Sequence, residues 1–488
     1  MSHKVDSEWI DSRKQGYRRI VFLTPDSHPI DRRVVAKADS LQSRGHEVFI
    51  LAWRGKPADP QALVYGGIKT QFLEPKFDNN QRVIRAAFST AIRVTDIPAR
   101  LPVLVLEALE RVLFGDRKLE RRSTLKELLA ANSLSFVALK ASKVGLDRIA
   151  SMINWPKNWL INSISNVVLR VDSKRSMNST ERAFYSELVF MKPDVIEAND
   201  FPCLRPAVLA KRKTGALLVY DMHEMYSEIE TIDPIRRIKI RLDEKSLVKS
   251  ADLCITVNPL FAKKLALMHG GREPAVIQNA VDAPDDLFSP GRPDLFRKEF
   301  PEIGDRKILL YQGWIYSGES RNLKKLVQSF RKVSDKVVLV MMGYGEVEYF
   351  RDLIREQNLG DHVFLRDAVS QDQLLYYTAS ADIGLIPYVA TADLNTQCGS
   401  PNKLYEFIQA RLPILSNDLV FVRSVLEAEG FGEVTQFSDQ ETLLQVLEKM
   451  IGSLASYQER LVEKGSMYAW REEEKKYVKL LEQHCSIF

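Results

Sequence analysis

The segment Ser400–Glu406 (SPNKLYE) concentrates residue types that suit the binding of an anion. A serine before a proline is typical of a helix start, and we expect Ser400 to cap a helix that begins near Pro401. The first turn of such a helix has free backbone N–H groups and a positive dipole end, which together suit a phosphate. Lys403 adds a positive charge in this turn. The predicted binding residues are Ser400, Pro401, Asn402, Lys403 and Leu404.

A second phosphate contact is predicted after the apolar run ILLYQ, where Gly313 lets an anion approach the backbone closely. Arg321 starts the next predicted helix, and a guanidinium binds phosphate through two parallel hydrogen bonds. Lys324 lies one turn further along and adds a charge. Gly343 and Gly345 (MGYG) favour either close approach of a nucleotide or a plain strand–helix turn. The competing interpretation of Gly313 and Arg321 is a turn glycine and a solvated arginine.

Acidic residues and a histidine follow other predicted strands. His223 and Glu224 follow the strand LLVYD, and Asp200 follows another strand. The loop after the first strand contains Asp26, His28 and Asp31. Because the carboxyl ends of parallel strands lie at one edge of a sheet, we expect these side chains to face one cleft and to suit ligand hydroxyls. Alternatively, His223 is a structural histidine and Asp31 caps the following helix.

Two α/β blocks position these residues. The first opens with the strand Arg19–Thr24, the helix Arg32–Arg44 and the strand Glu47–Ala52, a β-α-β unit that implies a parallel sheet. We therefore predict two doubly wound domains whose carboxyl edges form a cleft. The N-terminal domain is predicted at 15–285, with a helical insert at about 78–190. A linker at 286–306 leads to the C-terminal domain at 307–453. The C-terminal region, 454–488, is predicted to cross back to the N-terminal domain as one long helix, Leu454–Gln483.

The composition is that of a soluble globular protein, with 488 residues, 45% hydrophobic and 27% charged. The four cysteines form no C-x-x-C pair, so neither a disulfide framework nor a zinc–thiolate site is expected. The first twenty residues are too polar for a signal peptide, and no apolar run reaches the roughly 18–20 residues of a membrane span. These features predict a cytoplasmic protein. Gly-x-Gly-x-x-Gly is absent after the first strand, which argues against a dinucleotide oxidoreductase.

The positive charge is concentrated in the predicted insert. Residues 81–192 contain 19 Lys and Arg against 10 Asp and Glu, a net charge of +9, so the rest of the chain, whose total is +5, carries −4. Apolar residues at near-helical spacing accompany this charge around Val105–Leu113 and Trp155–Leu169. Two interpretations stay open: the apolar faces pack on the main body, or they bind an anionic membrane surface. No nucleic-acid partner is expected, because no recognised binding module accompanies the charge.

Several segments, taken in order, resemble the retaining glycosyltransferases of family 4. The resemblance covers Arg19–Ala52 and Pro193–Phe488, about two-thirds of the chain. The segments that carry it are DRRVVAKADSLQSRGHEVFILA, YDMHE, AVIQNAVD, YQGWIYSGESRNL, MMGYGE, ADIGLIPY and SPNKLYEFIQARLPIL. The implied fold class is α/β of the GT-B type, with two doubly wound Rossmann-like domains that face each other across a cleft and a helical insert in the N-terminal domain.

The resemblance implies a hexosyltransferase-type enzyme that moves a sugar from a nucleoside diphosphate sugar to a glycan or lipid-linked hydroxyl, with retention and without a metal or other cofactor. Glu406 matches the second glutamate of the family's E-x7-E motif, which holds the donor ribose, whereas Cys398 occupies the position of the first. Trp314 stands where an arginine usually follows Gly313. The implied catalytic residues are His223, Arg321 and Glu406, and the implied acceptor-binding residues are Asp26, Asp31, Asp200 and Glu224.

The donor nucleotide stays open among UDP, GDP, ADP and dTDP. The basic insert favours a lipid-linked acceptor, as in polysaccharide biosynthesis, and a peripheral position on the inner face of a membrane. One alternative is a catalytically degenerate GT-B scaffold or subunit, which Cys398 and Trp314 motivate. Another is a sugar-nucleotide epimerase, although an epimerase should lack an acceptor pocket and an insert. A phosphorylase is not favoured, because no pyridoxal-binding lysine is evident.

Overall fold

The structure is a computed structural model, which describes residues 17–27, 29–55, 61–65, 67–74, 177–330, 336–389, 393–437 and 440–485. His28 and residues 78–176 of the predicted insert lie outside the described residues. Both interpretations of that insert therefore stay predictions.

The N-terminal domain is built on an eight-stranded sheet in the order β3-β4-β2-β1-β5-β6-β7-β8. Its strands are β1 (Arg19–Leu23), β2 (Glu47–Trp53), β3 (Ala62–Tyr65), β4 (Ile68–Leu73), β5 (Val195–Asn199), β6 (Leu217–Met222), β7 (Leu253–Thr256) and β8 (Ala275–Val276). The edge pair β3 and β4 is antiparallel, and the other pairs are parallel.

Helices cover both faces of this sheet. They are α1 (Arg32–Gln42), α2 (Ser179–Met191), α3 (Asp200–Thr214), α4 (Pro234–Leu247) and α5 (Pro259–His269). Successive residues of β1 point into two different cores: Ile20 packs with Val34 of α1, and Val21 packs with Leu204 of α3. Burial on both faces explains why β1 is a continuous apolar run rather than an alternating one.

The C-terminal domain has a six-stranded, fully parallel sheet in the order β11-β10-β9-β12-β13-β14. Its strands are β9 (Lys307–Ile315), β10 (Val337–Gly345), β11 (Val363–Asp367), β12 (Ile383–Ile386), β13 (Ile414–Ser416) and β14 (Gly432–Val434). The helices of the linker and this domain are α6 (Leu295–Glu299), α7 (Leu323–Ser329), α8 (Val347–Glu356), α9 (Gln371–Ala379), α10 (Leu394–Cys398), α11 (Asn402–Gln409), α12 (Val420–Glu429) and α13 (Gln440–Gly452). The predicted class, two doubly wound α/β domains, is confirmed.

The prediction of one long C-terminal helix is wrong. The chain instead forms α14 (Leu454–Lys464), a short 3-10 turn at Gly465–Tyr468, and α15 (Trp470–Cys485). The break occurs where Gly465, a weak helix former, packs on α11 and accepts a hydrogen bond of 2.8 Å from Gln409 Nε2. The break redirects α15 onto the N-terminal domain, where Tyr477 donates a 2.5 Å hydrogen bond to Glu197 of β5.

None of the helices within the described ranges is long and apolar enough to span a membrane.

Candidate active site

The carboxyl ends of the two sheets meet through the segment that contains α10 and the start of α11. Arg32 of α1 forms a 2.5 Å ion pair with Glu406 of α11. Asn279, after β8, donates to the Ser400 carbonyl at 2.7 Å, and the Met225 amide, after β6, donates to Asn395 at 2.9 Å. Loops after several strands of the N-terminal sheet therefore form one wall of a cleft, and the C-terminal domain forms the other.

On the N-terminal wall, buried charges are matched by opposite charges. Lys37 of α1 is only 2% exposed and forms ion pairs with Glu197 and Asp221, and its Nζ lies 3.1 Å from Asn199 Oδ1. Burial lowers the pKa of Lys37, but Asp221 and Glu197 raise it further, so its net pKa lies above the usual value. Buried charges of this kind persist in a fold when they are paired and hydrogen-bonded.

His223 is buried at the carboxyl end of β6, between two carboxylates. Its Nε2 lies 2.7 Å from Asp221 Oδ2, and its Nδ1 lies 3.6 Å from Asp200 Oδ2. Burial and Arg33 lower the pKa of His223, but the two carboxylates outweigh them and the net pKa is raised. Desolvation would raise the pKa of Asp221, yet His223 and Lys37 hold it well below its usual range. We name Lys37, Glu197, Asp200, Asp221 and His223 the paired cluster.

Asp200 connects the paired cluster to the loop at Glu224. Its Oδ1 accepts from the backbone amides of His223 at 3.0 Å and Glu224 at 3.2 Å. Its φ of +59° is left-handed, an uncommon conformation for a residue other than glycine. Burial, the largest cause, raises the pKa of Asp200 to about 7. Glu224 itself is exposed.

Asp31 is the N-cap of α1, as the alternative interpretation predicted. It accepts a 2.8 Å hydrogen bond from the Arg33 amide, and both of its oxygens contact the Arg33 guanidinium. Asp26 accepts a 2.7 Å hydrogen bond from Thr24 Oγ1, and burial raises its pKa. A role for Asp26 or Asp31 in binding an acceptor stays a prediction.

On the C-terminal wall, two cations have aromatic partners. Lys403 Nζ donates a 2.6 Å hydrogen bond to the Tyr388 hydroxyl and lies 4.3 Å from the ring centroid of Tyr311. The Arg321 Cζ lies 4.1 Å from the ring centroid of Tyr388 and 6.0 Å from that of Trp314. Burial lowers the pKa of Lys403. Within the described ranges neither cation forms an ion pair with a carboxylate. We name Arg321, Lys403, Tyr388 and Tyr311 the cationic cluster.

Glu406 lies beside the cationic cluster and is buried, so the interpretation of it as an ordinary exposed helix residue is wrong. Arg32 contacts its Oε1, and Gln312 donates to its Oε2. Gln312 is in turn held by a 2.8 Å hydrogen bond from Thr378 Oγ1.

The predicted glycines are explained by contacts between strands. Gly313 has a φ of +112°, and a Cβ there would lie 3.6 Å from Lys403 Nζ. A Cβ on Gly343 would lie 1.7 Å from the Gly313 carbonyl oxygen, and one on Gly345 would lie 2.4 Å from the Ile315 oxygen. Glycine is therefore required at 343 and 345 because β9 and β10 approach closely. Contacts of these glycines with a nucleotide stay predictions.

Residues 306–453 match the family model for glycosyl transferases, group 1. The matched segment contains the whole cationic cluster and Glu406. None of the curated proteins matches the chain in sequence at a significant level.

Solved structures match the whole fold at low sequence identity. Sucrose-phosphate synthase from Thermosynechococcus elongatus has a TM-score of 0.60 at 12% identity, covering 96% of this chain and 98% of that one. HepE from Anabaena in complex with UDP-glucose has a TM-score of 0.56 at 12% identity, covering 96% and 100%. WaaG, a glycosyltransferase involved in lipopolysaccharide biosynthesis, has a TM-score of 0.52 at 13% identity, covering 94% and 99%. The predicted GT-B fold is confirmed.

Two predictions at the start of α11 are wrong. Ser400 does not cap the helix: α11 begins at Asn402, Pro401 occupies the N-cap position without a side-chain bond, and the Ser400 hydroxyl instead hydrogen-bonds Tyr405 at 2.8 Å. Ser400 lies one residue too early to cap, and Tyr405 is within its reach. Leu404 has its side chain fully buried in the core, so that side chain does not face a ligand. The backbone N–H groups at this helix start still lack a side-chain cap.

Three further residues that the sequence singled out, Lys324, Cys398 and Trp314, belong to neither the paired cluster nor the cationic cluster. Lys324 is exposed on α7 and makes no ion pair with a residue that the structure describes. Cys398 is buried in the N-terminal core, and its carbonyl accepts from Asn258 at 3.1 Å. Trp314 is 44% exposed and stacks on Tyr316 with centroids 4.6 Å apart. Both residues that depart from the family pattern therefore have structural partners.

Three residues of the cleft were missed by sequence reasoning: Arg32, Lys37 and Tyr388. Lys37 had a usable signal, because it shares the apolar face of α1 with Val34 and Leu41, where a lysine needs a buried partner. Tyr388 follows β12 at its carboxyl end, which was also visible in the sequence. The partner of Arg32 lies 374 residues away, and no local pattern indicates it.

The residues that the structure describes contain no group of three or more His, Cys, Asp or Glu arranged to hold a metal ion.

Proposed function

We propose that the protein is a retaining glycosyltransferase that moves a sugar from a nucleoside diphosphate sugar to a hydroxyl of a glycan or lipid-linked acceptor. The observation that carries this proposal is the cationic cluster, in which the direct partners of Arg321 and Lys403 are aromatic residues rather than carboxylates. Cations whose charge is not neutralised internally attract a strongly anionic ligand. A diphosphate is such a ligand.

The comparisons support a nucleoside diphosphate sugar as the donor. The segment that matches the glycosyl transferase model contains both cations, and HepE, which shares the fold, was solved with UDP-glucose. Arg321 and Lys403 would bind the diphosphate, and the uncapped start of α11 would add backbone N–H groups. Glu406 would hold the ribose hydroxyls, since a carboxylate has more acceptor positions than its two current donors occupy.

In the proposed reaction, the acceptor oxygen forms a bond to the anomeric carbon while the bond from that carbon to the diphosphate oxygen breaks. The electron pair of the broken bond leaves with the nucleoside diphosphate, and the acceptor proton passes to the leaving phosphate oxygen. Attack from the face of the leaving group retains the configuration. Arg321 and Lys403 stabilise the charge that develops on the leaving group, which is the role a metal ion would otherwise have. We therefore expect transfer without a metal.

The paired cluster would position the reacting sugar. Burial lowers the pKa of His223, but Asp221 and Asp200 outweigh this effect and favour the protonated ring, so we assign His223 a role as a hydrogen-bond donor and not as the base. Asp200, with a pKa of about 7, and the exposed Glu224 lie beside it and would bind acceptor hydroxyls. This arrangement positions hydroxyl groups, and the proton transfer is left to the donor phosphate.

The lipid-linked acceptor is proposed from the net charge of +9 over residues 81–192. WaaG, which shares the fold, is involved in lipopolysaccharide biosynthesis. We expect the full chain to sediment with liposomes that contain anionic phospholipid at low salt and to be released as salt rises. If it ignores such liposomes, the acceptor is a soluble glycan and the apolar faces of the insert pack on the main body.

The donor site is tested by thermal unfolding of the full chain with UDP, GDP, ADP and dTDP and their sugars. A ligand that binds only the folded state, at about 100 times its dissociation constant, adds about 2.7 kcal/mol of stability. We expect one base to raise the melting temperature in the presence of EDTA, and Arg321→Met to abolish the shift. Lys324→Met is the matched control and should retain it. The absence of a shift with every nucleotide would favour a GT-B scaffold without transferase activity.

A further inference from the structure

We propose that Tyr388 is the positioning residue of the cationic cluster: its ring fixes Arg321 and its hydroxyl fixes Lys403. The inference rests on the proposed function, because the anion that these two cations meet is taken to be the donor diphosphate. Tyr388 is the last residue of the segment ADIGLIPY, to which the sequence assigned no role, and the inference assigns separate tasks to two parts of its side chain.

The geometry places Tyr388 between the two cations. It lies two residues after β12, while Arg321 precedes α7 and Lys403 is in the first turn of α11, so three separate segments meet at this ring. The guanidinium carbon is 4.1 Å from the ring centroid. The ammonium nitrogen is 2.6 Å from the hydroxyl oxygen and 4.6 Å from the same centroid.

An aromatic partner can hold two cations in place without neutralising their charge, which a carboxylate cannot do. Two cations that must meet one diphosphate repel each other, and each has a long side chain with several rotatable bonds. A carboxylate would hold them, but it would also neutralise them and compete with the ligand. The face of an aromatic ring attracts a cation through its quadrupole and leaves the full positive charge in place.

The hydroxyl contact leaves most of the hydrogen-bonding capacity of Lys403 free. An ammonium group has three N–H donors, and Tyr388 takes one of them. The ring of Tyr311, 4.3 Å from Nζ, limits movement on another side. Fixing the side chain before the ligand arrives reduces the entropy lost on binding, so the cluster is preorganised for an anion.

The two tasks predict two different losses of affinity. Tyr388→Phe keeps the ring and removes the hydroxyl, so Lys403 alone should be released. We expect the dissociation constant for inorganic pyrophosphate to rise about fivefold, as for one lost intramolecular hydrogen bond of typical strength. Tyr388→Leu removes both contacts, and we expect a rise of about fiftyfold. Tyr376→Phe, on α9 in the same domain, is the matched control and should change binding less than about twofold.

A set of double mutants separates positioning from general loss of structure. If the hydroxyl acts through Lys403, Tyr388→Phe should have almost no further effect in the Lys403→Met protein and its full, roughly fivefold effect in the Arg321→Met protein. Calorimetric titration with pyrophosphate measures each constant, and melting temperatures check that each variant is folded. Tyr388→Phe keeps the test valid if Tyr388→Leu does not fold.

Equal effects of Tyr388→Phe in all three backgrounds, or no effect in any, would overturn the inference while the proposed function stands. If the unmutated protein binds neither pyrophosphate nor any of the four nucleoside diphosphates, the proposed function fails and this inference falls with it. The expected result is loss of the hydroxyl effect only where Lys403 has been replaced.

Discussion

The two walls of the cleft differ in the partners that surround a buried lysine. On the N-terminal wall, Lys37 is buried against two carboxylates and a neutral amide. On the C-terminal wall, Lys403 is also buried, at 5% exposure, yet its partners are the hydroxyl of Tyr388 and aromatic rings. We infer two purposes for the same residue type at similar burial: Lys37 contributes to the fold, and Lys403 is held for an anionic ligand.

From this difference we infer that the C-terminal wall is the one that binds an anion. The paired cluster is close to neutral internally, because its cations and carboxylates contact each other. In the cationic cluster, neither Arg321 nor Lys403 forms an ion pair with a carboxylate of the described residues, and the carboxylates of Glu406, Glu224 and Asp393 interact with them only at longer range. A functional site often costs stability in this way, since groups arranged for a ligand are not arranged for the fold.

The largest expected effect is on folding stability and comes from Lys37→Met. This change leaves Glu197 buried without its cation and Asp221 with His223 alone, which should lower the free energy of unfolding by about 3–5 kcal/mol. Urea denaturation at pH 7 measures the loss. Replacing one carboxylate as well, in Lys37→Met/Glu197→Gln, should recover part of it. A loss below about 1 kcal/mol would contradict the account of the paired cluster.

The next effect is on catalysis and comes from the cationic cluster. We expect Arg321→Met and Lys403→Met each to lower kcat/KM about 100-fold, because each removes one charge-assisted contact with the leaving diphosphate. Lys324→Met should leave kcat/KM within about twofold, because this side chain is exposed on α7. Equal losses of kcat/KM in all three variants would indicate that these side chains act through long-range electrostatics and not through direct contact with the diphosphate.

The smallest effect concerns Glu244 of α4, a buried carboxylate whose one ion-pair candidate among the described residues is His269 at 3.9 Å, a side chain whose pKa burial lowers to about 4. Tyr220 donates a 2.5 Å hydrogen bond to it, but burial raises its pKa to about 7. In the folded state Glu244 therefore keeps a proton that the unfolded chain releases above its ordinary pKa of 4.5, and stability falls as pH rises from about 5 to 7. We expect Glu244→Gln to add on the order of 1 kcal/mol at pH 8 and close to nothing at pH 4.5.

Urea denaturation at the two pH values measures this difference, with Glu441→Gln on the surface helix α13 as the control. The same gain at both values would mean that Glu244 does not titrate on unfolding. The comparison then includes three kinds of buried ionisable residue: Lys37, which is paired with carboxylates; Lys403, which we propose is held for a ligand; and Glu244, which has no charged partner among the described residues.

Much of the fold could be predicted, because both sheets have apolar strands alternating with amphipathic helices. The strands Arg19–Thr24 and Glu47–Ala52 were each predicted to within one residue of the observed β1 and β2. The edge strands β3 and β14 and the strand β4 next to β3 were missed, since they are short or have mixed polarity and are specified by pairing with a neighbour. The break at Gly465 was missed because its cause is the contact of Gly465 with α11, far away in sequence.

The candidate site, like the fold, could be predicted from the sequence only in part. Gly313, Arg321 and Lys403 could be predicted because their residue types and local positions suit an anion. Their partners could not, because contacts such as that of Tyr388 with Arg321 join segments that lie 67 residues apart (388 − 321). The cap predicted for Ser400 failed for a related reason: Tyr405 competes for its hydroxyl in the folded chain.

The central claim is that Lys403 is held for an anionic ligand at some expense of stability. Thermal unfolding of the Lys403→Met protein, with and without the nucleoside diphosphate that stabilises the unmutated protein most, tests it most directly. The account predicts a melting temperature without ligand at or above that of the unmutated protein, together with loss of most of the ligand-induced shift. A lowered melting temperature without ligand, combined with an unchanged ligand-induced shift, would show that Lys403 supports the fold as Lys37 does and would contradict the account.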